Sequence, residues 1–248
     1  MSQDTMTGAV IASANDVMKI YGSGETEVRA LNGLNAEFRR GQFSAVMGPS
    51  GSGKSTLMHV MAGLDQATSG TVTIGDIELG SLSEKQLTLL RRDRIGFVFQ
   101  AYNLVPTLSA EENMVLPMQL AGRKPDGKWF NEVVTAVGLA DRLDHRPNEL
   151  SGGQQQRVAV ARALVAQPDI IFADEPTGNL DSRTGHEILD FLRTAVRDLD
   201  QTIVMVTHDP LGASYTDRAI FLTDGEITSE MANPDADDIY NYMRSLGA

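Results

Sequence analysis

The stretch "GPSGSGKS", from Gly48 to Ser55, decides how the rest of the chain is read. It follows a short apolar run, "FSAVM". It precedes "TLMHVMAGL", where Leu57, Val60, Met61 and Leu64 recur at helical spacing. Strand, then G-x-x-x-x-G-K-[ST], then helix is the arrangement of a phosphate-binding loop. Glycines let the backbone curl so that successive N–H groups point inward, and the helix start adds its partial positive charge. Gly48, Pro49, Ser50, Gly51, Ser52 and Gly53 supply the curl. Lys54 can reach the β- and γ-phosphates of a nucleotide, and Ser55 can place a hydroxyl on Mg²⁺. Thr56 completes the expected binding set.

A phosphate loop needs a second anchor for its metal. "IIFADEP" supplies one: an apolar strand, then Asp174 at its end, then Glu175. Asp174 is expected to reach Mg²⁺, usually through its water, and Glu175 to polarise the attacking water. "LSGGQQQR", from Leu150 to Arg157, then opens another helix with a serine and two glycines, a further anion-binding geometry. One nucleotide hardly needs two helix starts from distant segments unless the second serves a nucleotide held by another molecule.

"LSGGQ" shortly before such a strand resembles the signature of ATP-binding-cassette (ABC) ATPases. Other elements match in order. Tyr21 resembles the aromatic residue that stacks on adenine, and Gln100 the Q-loop glutamine. Asn179-Leu180-Asp181 resembles the D-loop, and His208 the switch histidine. The resemblance covers about residues 9–230. It implies an α/β P-loop NTPase, with a RecA-like, mostly parallel sheet core, an N-terminal antiparallel β lobe and an α-helical lobe. The β lobe is expected at about 9–46 and 70–99, the helical lobe at about 101–160, and an acidic tail at 231–248. The implied catalytic set is Glu175, His208, Lys54 and Gln100. The implied binding set is Tyr21, residues 48–56, Ser151, Gly152, Gly153 and Gln154. The implied metal set is Ser55, Gln100 and Asp174, with ATP and Mg²⁺ as cofactors. The resemblance also implies a head-to-tail dimer. Each ATP would lie between the loop of one chain and Ser151–Gly153 of the other.

Bulk properties narrow the class. The chain has 248 residues, is 42% hydrophobic and carries a formal charge of -12. Phosphate backbones repel such a chain, so no nucleic-acid partner is expected. With no cysteine, disulfides and thiolate metal sites are excluded. No secretory leader is expected in residues 1–16, and no segment approaches the roughly 18 apolar residues of a spanning helix. Any spanning must come from another chain. "YGSGETEVRALNGLNAEF" and "FVFQAYNLVPTLSAEENMVLPMQLAG" resemble the branch that contains the macrolide exporter MacB, the lipoprotein-releasing LolD and the cell-division protein FtsE. That implies a subunit at the cytoplasmic face of the cell membrane, under a FtsX- or MacB-like permease with four spanning helices per chain. A transport subunit, exporting its cargo, is expected. The rival is an FtsE-like ATPase that signals to cell-wall hydrolases and carries nothing.

Elsewhere the pattern is mostly architectural. Residues 107–149 read as helical, punctuated by Pro106, Pro117, Pro125 and Pro147. "SRTGHEILDFLRTAVRDL" is an amphipathic helix, and "RAIFLTDGEITSE" a hairpin around Asp224-Gly225. "RRDR" at 91–94 reads as a solvated helix end, Trp129 as packing, and His59, His145 and His186 as structural. The six acidic residues after Thr223 suggest a solvated, partly helical edge.

Overall fold

Two sheets organise residues 8–246, the residues that this computed structural model describes. Most of the region read for a leader lies among them, but residues 1–7 do not, nor do the last two residues of the acidic tail. In chain order the elements are β1 (Val10–Tyr21), β2 (Val28–Arg39), β3 (Phe43–Met47), α1 (Lys54–Met61), β4 (Ser69–Ile74), β5 (Ile77–Glu78), α2 (Glu84–Arg94) and β6 (Ile95–Phe99). There follow α3 (Ala110–Leu120), α4 (Gly127–Val137), α5 (Gly152–Val165), β7 (Ile170–Asp174), α6 (Ser182–Leu199), β8 (Ile203–Val206), α7 (Pro210–Ala213), β9 (Arg218–Thr223), β10 (Glu226–Ala232) and α8 (Ala236–Leu246).

The larger sheet runs β10-β9-β3-β8-β7-β6. Its strands are parallel except for the β9–β10 hairpin. Both faces are covered, and the alternation of side chains shows it. Ile171, Ala173, Ile203 and Met205 enter one hydrophobic cluster with the helices α3 to α6. Their neighbours Ile170, Phe172, Val204 and Val206 enter a second cluster with α1, α2 and the other sheet. A strand buried on both sides therefore reads as a continuous apolar run, as "IIFA" and "IVMV" do. The smaller sheet, β2-β1-β4-β5, is antiparallel and is the expected β lobe. It is narrower than its sequence limits. β6 and all but the last residue of β3 fall inside those limits yet pair in the parallel sheet, because a strand pattern does not say which sheet a strand joins.

Serines and aspartates set the helix starts. Ser83, Ser109 and Ser151 each close a capping box, and Asp126 and Asp181 cap α4 and α6. Three local expectations are corrected. Leu64 is not on the buried face of α1: the helix ends at Met61, Gly63 takes a left-handed φ of 63°, and Leu64 is 46% exposed. Pro117 does not punctuate the helical lobe but lies inside α3, near its last turn. The acidic tail is more than a solvated edge. Ile239 of α8 is fully buried against Ala45, Met47 and Phe221, and the Tyr242 ring meets Phe221 edge-on at 4.6 Å. Trp129 packs as expected and donates to Leu164 O at 3.1 Å. The basic run is a helix end paired with Asp93, Asp76 and Asp169.

Candidate nucleotide site

The parallel register brings the expected residues to one edge of the sheet. Val46 pairs with Val206, Val206 with Asp174, and Asp174 with Phe99. One step beyond the ends of β3, β7 and β6 the chain reaches the phosphate loop, Glu175 and Gln100, with His208 two residues past β8. Ligands of open α/β sheets bind at this carboxyl edge.

The loop closes on itself tightly. A Cβ on Gly48 would stand 2.1 Å from Leu222 O, and one on Gly53 would stand 2.4 Å from Ala30 O. Both residues have positive φ, 149° and 103°. Only glycine lets the backbone pass here. Lys54 Nζ donates back to Gly48 O at 2.9 Å and to Pro49 O at 2.8 Å. Among the described residues no side chain caps α1, and Ser52 Oγ is buried without a hydrogen-bond partner. An orphaned buried hydroxyl and an uncapped helix start inside a glycine cradle fit a phosphate chain. Burial pulls the Lys54 ammonium below its ordinary pKa, against the pull of Glu175 and Asp174. Burial also pushes the Asp174 carboxyl up, against His59 and Lys54. His59, read as merely structural, thus lies close enough to Asp174 to act on it.

Glu175 holds a left-handed φ of 45°, and its N–H donates to Val206 O at 2.9 Å. A non-glycine residue there is strained, and the sheet edge fixes it. Its Oε1 meets His208 Nδ1 at 2.8 Å. Gln100 and Asn179 bind each other twice: Gln100 Nε2 donates to Asn179 Oδ1 at 3.3 Å, and Asn179 Nδ2 to Gln100 O at 2.9 Å. The Tyr21 hydroxyl donates to Asp65 Oδ2 at 2.7 Å, and Thr56 lies beside it.

Ser151–Gln154 stand apart from this group. Gly152 and Gly153 have Tyr102, Leu180 and Thr184 as neighbours rather than the phosphate loop. Ser151 Oγ accepts from Gln154 N at 3.3 Å, and Gln154 Oε1 accepts from Ser151 N at 2.9 Å. Among the described residues no three His, Asp or Glu side chains gather as a metal cage. Mg²⁺ bound through phosphates needs only one or two protein carboxylates and waters, so Asp174 with Ser55 fits that ion.

Sequence reasoning missed several supporting residues. Arg162, half-buried on α5, donates to Asn103 O at 2.6 Å and Tyr102 O at 2.9 Å, clamping two consecutive left-handed residues after Gln100. Asn113 is fully buried, accepts from Val105 N, and donates to Val105 O, Leu108 O and Ser109 O. Lys19 and Asp65 form an ion pair at 2.6 Å. No local motif marks these residues. Each acts on the backbone or on a side chain distant in sequence.

The family described as "ABC transporter" matches residues 31–178. A bacitracin export ATP-binding protein from Halalkalibacterium halodurans is 42% identical over 227 residues, 91% of this chain and 90% of that one. A lipoprotein-releasing system ATP-binding protein from Geobacter metallireducens is 46% identical over 217 residues, 87% of this chain and 96% of that one. The solved dimeric post-hydrolysis state of an ATP-binding cassette bound to ADP and Pi, from Methanocaldococcus jannaschii, superposes with a TM-score of 0.79 at 43% identity, over 90% of this chain and 99% of that one. With its phosphate loop, its buried Asp174 strand and a family match over more than half its length, this chain belongs to the ABC transporter family, as an ATP-binding and ATP-hydrolysing subunit.

Proposed function

We propose that the chain drives a MacB-type membrane permease, as an exporter, by closing on ATP as a head-to-tail dimer. The glycine cradle around Ser52 and the uncapped start of α1 carry the ATP-binding part of this reading. Residues 48–56 bind the phosphates, Tyr21 stacks on the base, and Ser151–Gln154 of a second copy complete the site. Mg²⁺, held by Ser55 and Asp174 with Gln100 in reach, would supply charge neutralisation on the phosphates. Glu175 orients the attacking water and takes its proton. His208, 2.8 Å from Glu175, holds that carboxylate in place.

The permease would dock at a groove beside the helical lobe. An apolar groove of about 440 Å³ lies between β6 and the helical lobe, lined by Phe97, Phe99, Leu116, Pro117, Leu120 and Arg162. Leu120 at its rim is 74% exposed. No helix among the described residues is long and apolar enough to cross a membrane. In the transport reading the chain works at the cytoplasmic face, held there through this groove. The names of the bacitracin-export and lipoprotein-releasing relatives support the transport reading. The test is to purify the chain with its permease from native membranes and compare hydrogen exchange with the free protein. Protection over residues 95–120, which hold the 100–114 segment and most of the groove lining, is expected to rise on assembly, and Leu120→Asp to reduce co-purification. Equal protection in both states would remove the groove from the interface.

A further inference from the structure

We propose that Lys19 and Asp65 are positioning residues for the nucleotide base: they hold the Tyr21 ring as a preformed platform, tied to the helix that carries the phosphate loop. The inference rests on the stacking role of Tyr21.

Tyr21 ends β1 and stays 41% exposed although its hydroxyl is bonded. Lys19 Nζ lies over its ring, 4.7 Å from the centroid. The same ammonium donates to Asp65 Oδ1 at 2.6 Å and to Gln66 O at 2.8 Å. Asp65 therefore receives Lys19 on one oxygen and the Tyr21 hydroxyl on the other, and Gln66 N adds a third donor at 2.7 Å. Burial works against ionising Asp65, but these donors outweigh it and hold its carboxyl below the ordinary range.

The anchor of this network is α1. The N–H groups of Leu64 and Asp65 both donate to His59 O, at 2.8 and 3.2 Å, so Asp65 is fixed to the last turn of the helix. The first turn of that helix begins at Lys54. Platform and phosphate loop thus sit on one rigid element, although Tyr21 belongs to the antiparallel sheet. A purely architectural brace between sheet and helix would bury the ring as well as the hydroxyl. Here the polar handle is fixed and the ring is left open, the arrangement suited to receiving a flat partner. Preorganising a group before binding raises affinity by removing the ordering cost. The platform offers a π-face and a cation, so it stabilises any stacked base and reads no base edge.

The test compares ATP with inorganic tripolyphosphate, which has the phosphates and no base. Tyr21→Phe removes the Tyr21–Asp65 hydrogen bond, and Asp65→Asn strips it of its charged acceptor. Each is expected to weaken ATP about three- to tenfold, the worth of one such bond, as a rise in KM without a matching fall in kcat. Tripolyphosphate affinity is expected to stay level, and the double variant to be no weaker than the weaker single one. Equal losses for ATP and tripolyphosphate would mean that Asp65 shapes the phosphate loop, which overturns the inference. So would a fall in kcat at constant KM, or additive effects in the double variant. Tyr21→Ala separates the two layers. If it weakens ATP while Asp65→Asn does not, stacking stands and the positioning role falls. If it leaves ATP affinity unchanged, stacking itself falls. Tyr21→Phe keeps the ring, so the test survives a poorly folded Asp65→Asn.

Discussion

Two helices in this chain begin at glycine-rich anion-binding motifs, and they begin differently. At α1 the N-cap is Gly53 in a left-handed conformation, and no side chain meets the first N–H groups. Lys54 is turned back onto the loop's own carbonyls, and Ser52 Oγ has no partner. At α5 the start is closed. Ser151 and Gln154 satisfy each other, and Tyr102 and Thr184 crowd the two glycines. Helix starts always leave donors to be satisfied. The first helix leaves them for a ligand, and the second meets part of that need within the chain. In the proposed cycle the phosphate loop therefore binds first and alone. The signature helix joins only when a second copy presents its nucleotide.

The harshest way to break this comparison is to stop hydrolysis and ask whether α5 is still needed. Glu175→Gln keeps size and hydrogen bonding but removes basicity. Hydrolysis is expected to fall by ~10² to 10⁴, the usual worth of a positioned base. ATP should still bind, because residues 48–56 are untouched. With ATP and Mg²⁺ the variant is expected to elute as a dimer in size-exclusion chromatography, and Glu175→Gln with Ser151→Arg as a monomer. A parent rate in the single variant would remove Glu175 from its role. A dimer in the double variant would remove the trans role of α5.

A milder probe asks what the empty site costs. Burial raises the pKa of Asp174, so the folded chain holds that proton more tightly than the unfolded chain does. The sign follows: the stability tied to this group is lost as pH rises from the ordinary carboxylate range through the raised value. Ionised Asp174 therefore destabilises the nucleotide-free fold at neutral pH. Asp174→Asn is expected to raise the unfolding temperature of the apo protein at about pH 8, with the gain vanishing below about pH 3, where the parent is protonated in both states. Mg²⁺-dependent hydrolysis is expected to collapse in the same variant. A lower unfolding temperature at about pH 8 would show that Asp174 is stabilised by its neighbours rather than strained by burial.

How legible each region was follows from the range of its contacts. Residues 48–55 and 170–175 are local: strand, turn and charge lie in consecutive positions, so spacing alone placed them. The start of α5 was equally readable, because a capping box spans four residues. The Tyr21 platform was readable only as a single aromatic, since Lys19 and Asp65 are 46 positions apart and no periodicity links them. Arg162 lay hidden in the apolar-spaced "RVAVARALV", where one arginine looks like a solvated interruption. It is instead a half-buried clamp on two backbone carbonyls. Sheet membership was the other gap. β3 and β6 carry the same strand signal as β1 and β4, and only long-range pairing separates them. Leu64 followed the helical spacing of α1, but Ala62-Gly63 was the available stop signal and outranks one more apolar residue.

The smallest expected effect tests the comparison in the nucleotide-free state. Ser151→Ala removes the hydroxyl that accepts from Gln154 N and opens the capping box. Losing such a cap costs about 1 kcal/mol, which in a chain of this size lowers the unfolding temperature by about 2–4 °C. Ser52→Ala removes a hydroxyl that is buried and bonded to nothing. Deleting an unsatisfied polar group is close to neutral or stabilising, because its desolvation is already uncompensated. The two serine-to-alanine changes delete the same atom at the two glycine-rich motifs, so side-chain volume and helix propensity differ little between them. Their apo unfolding temperatures should therefore move apart, with Ser151→Ala falling and Ser52→Ala level or higher. Saturating ATP should then narrow that gap by stabilising the parent more than Ser52→Ala, since the loop's hydroxyl gains a partner only in the bound state. An apo loss in Ser52→Ala as large as that in Ser151→Ala would show that the phosphate loop satisfies itself without ligand, and the contrast between the two helix starts would not hold.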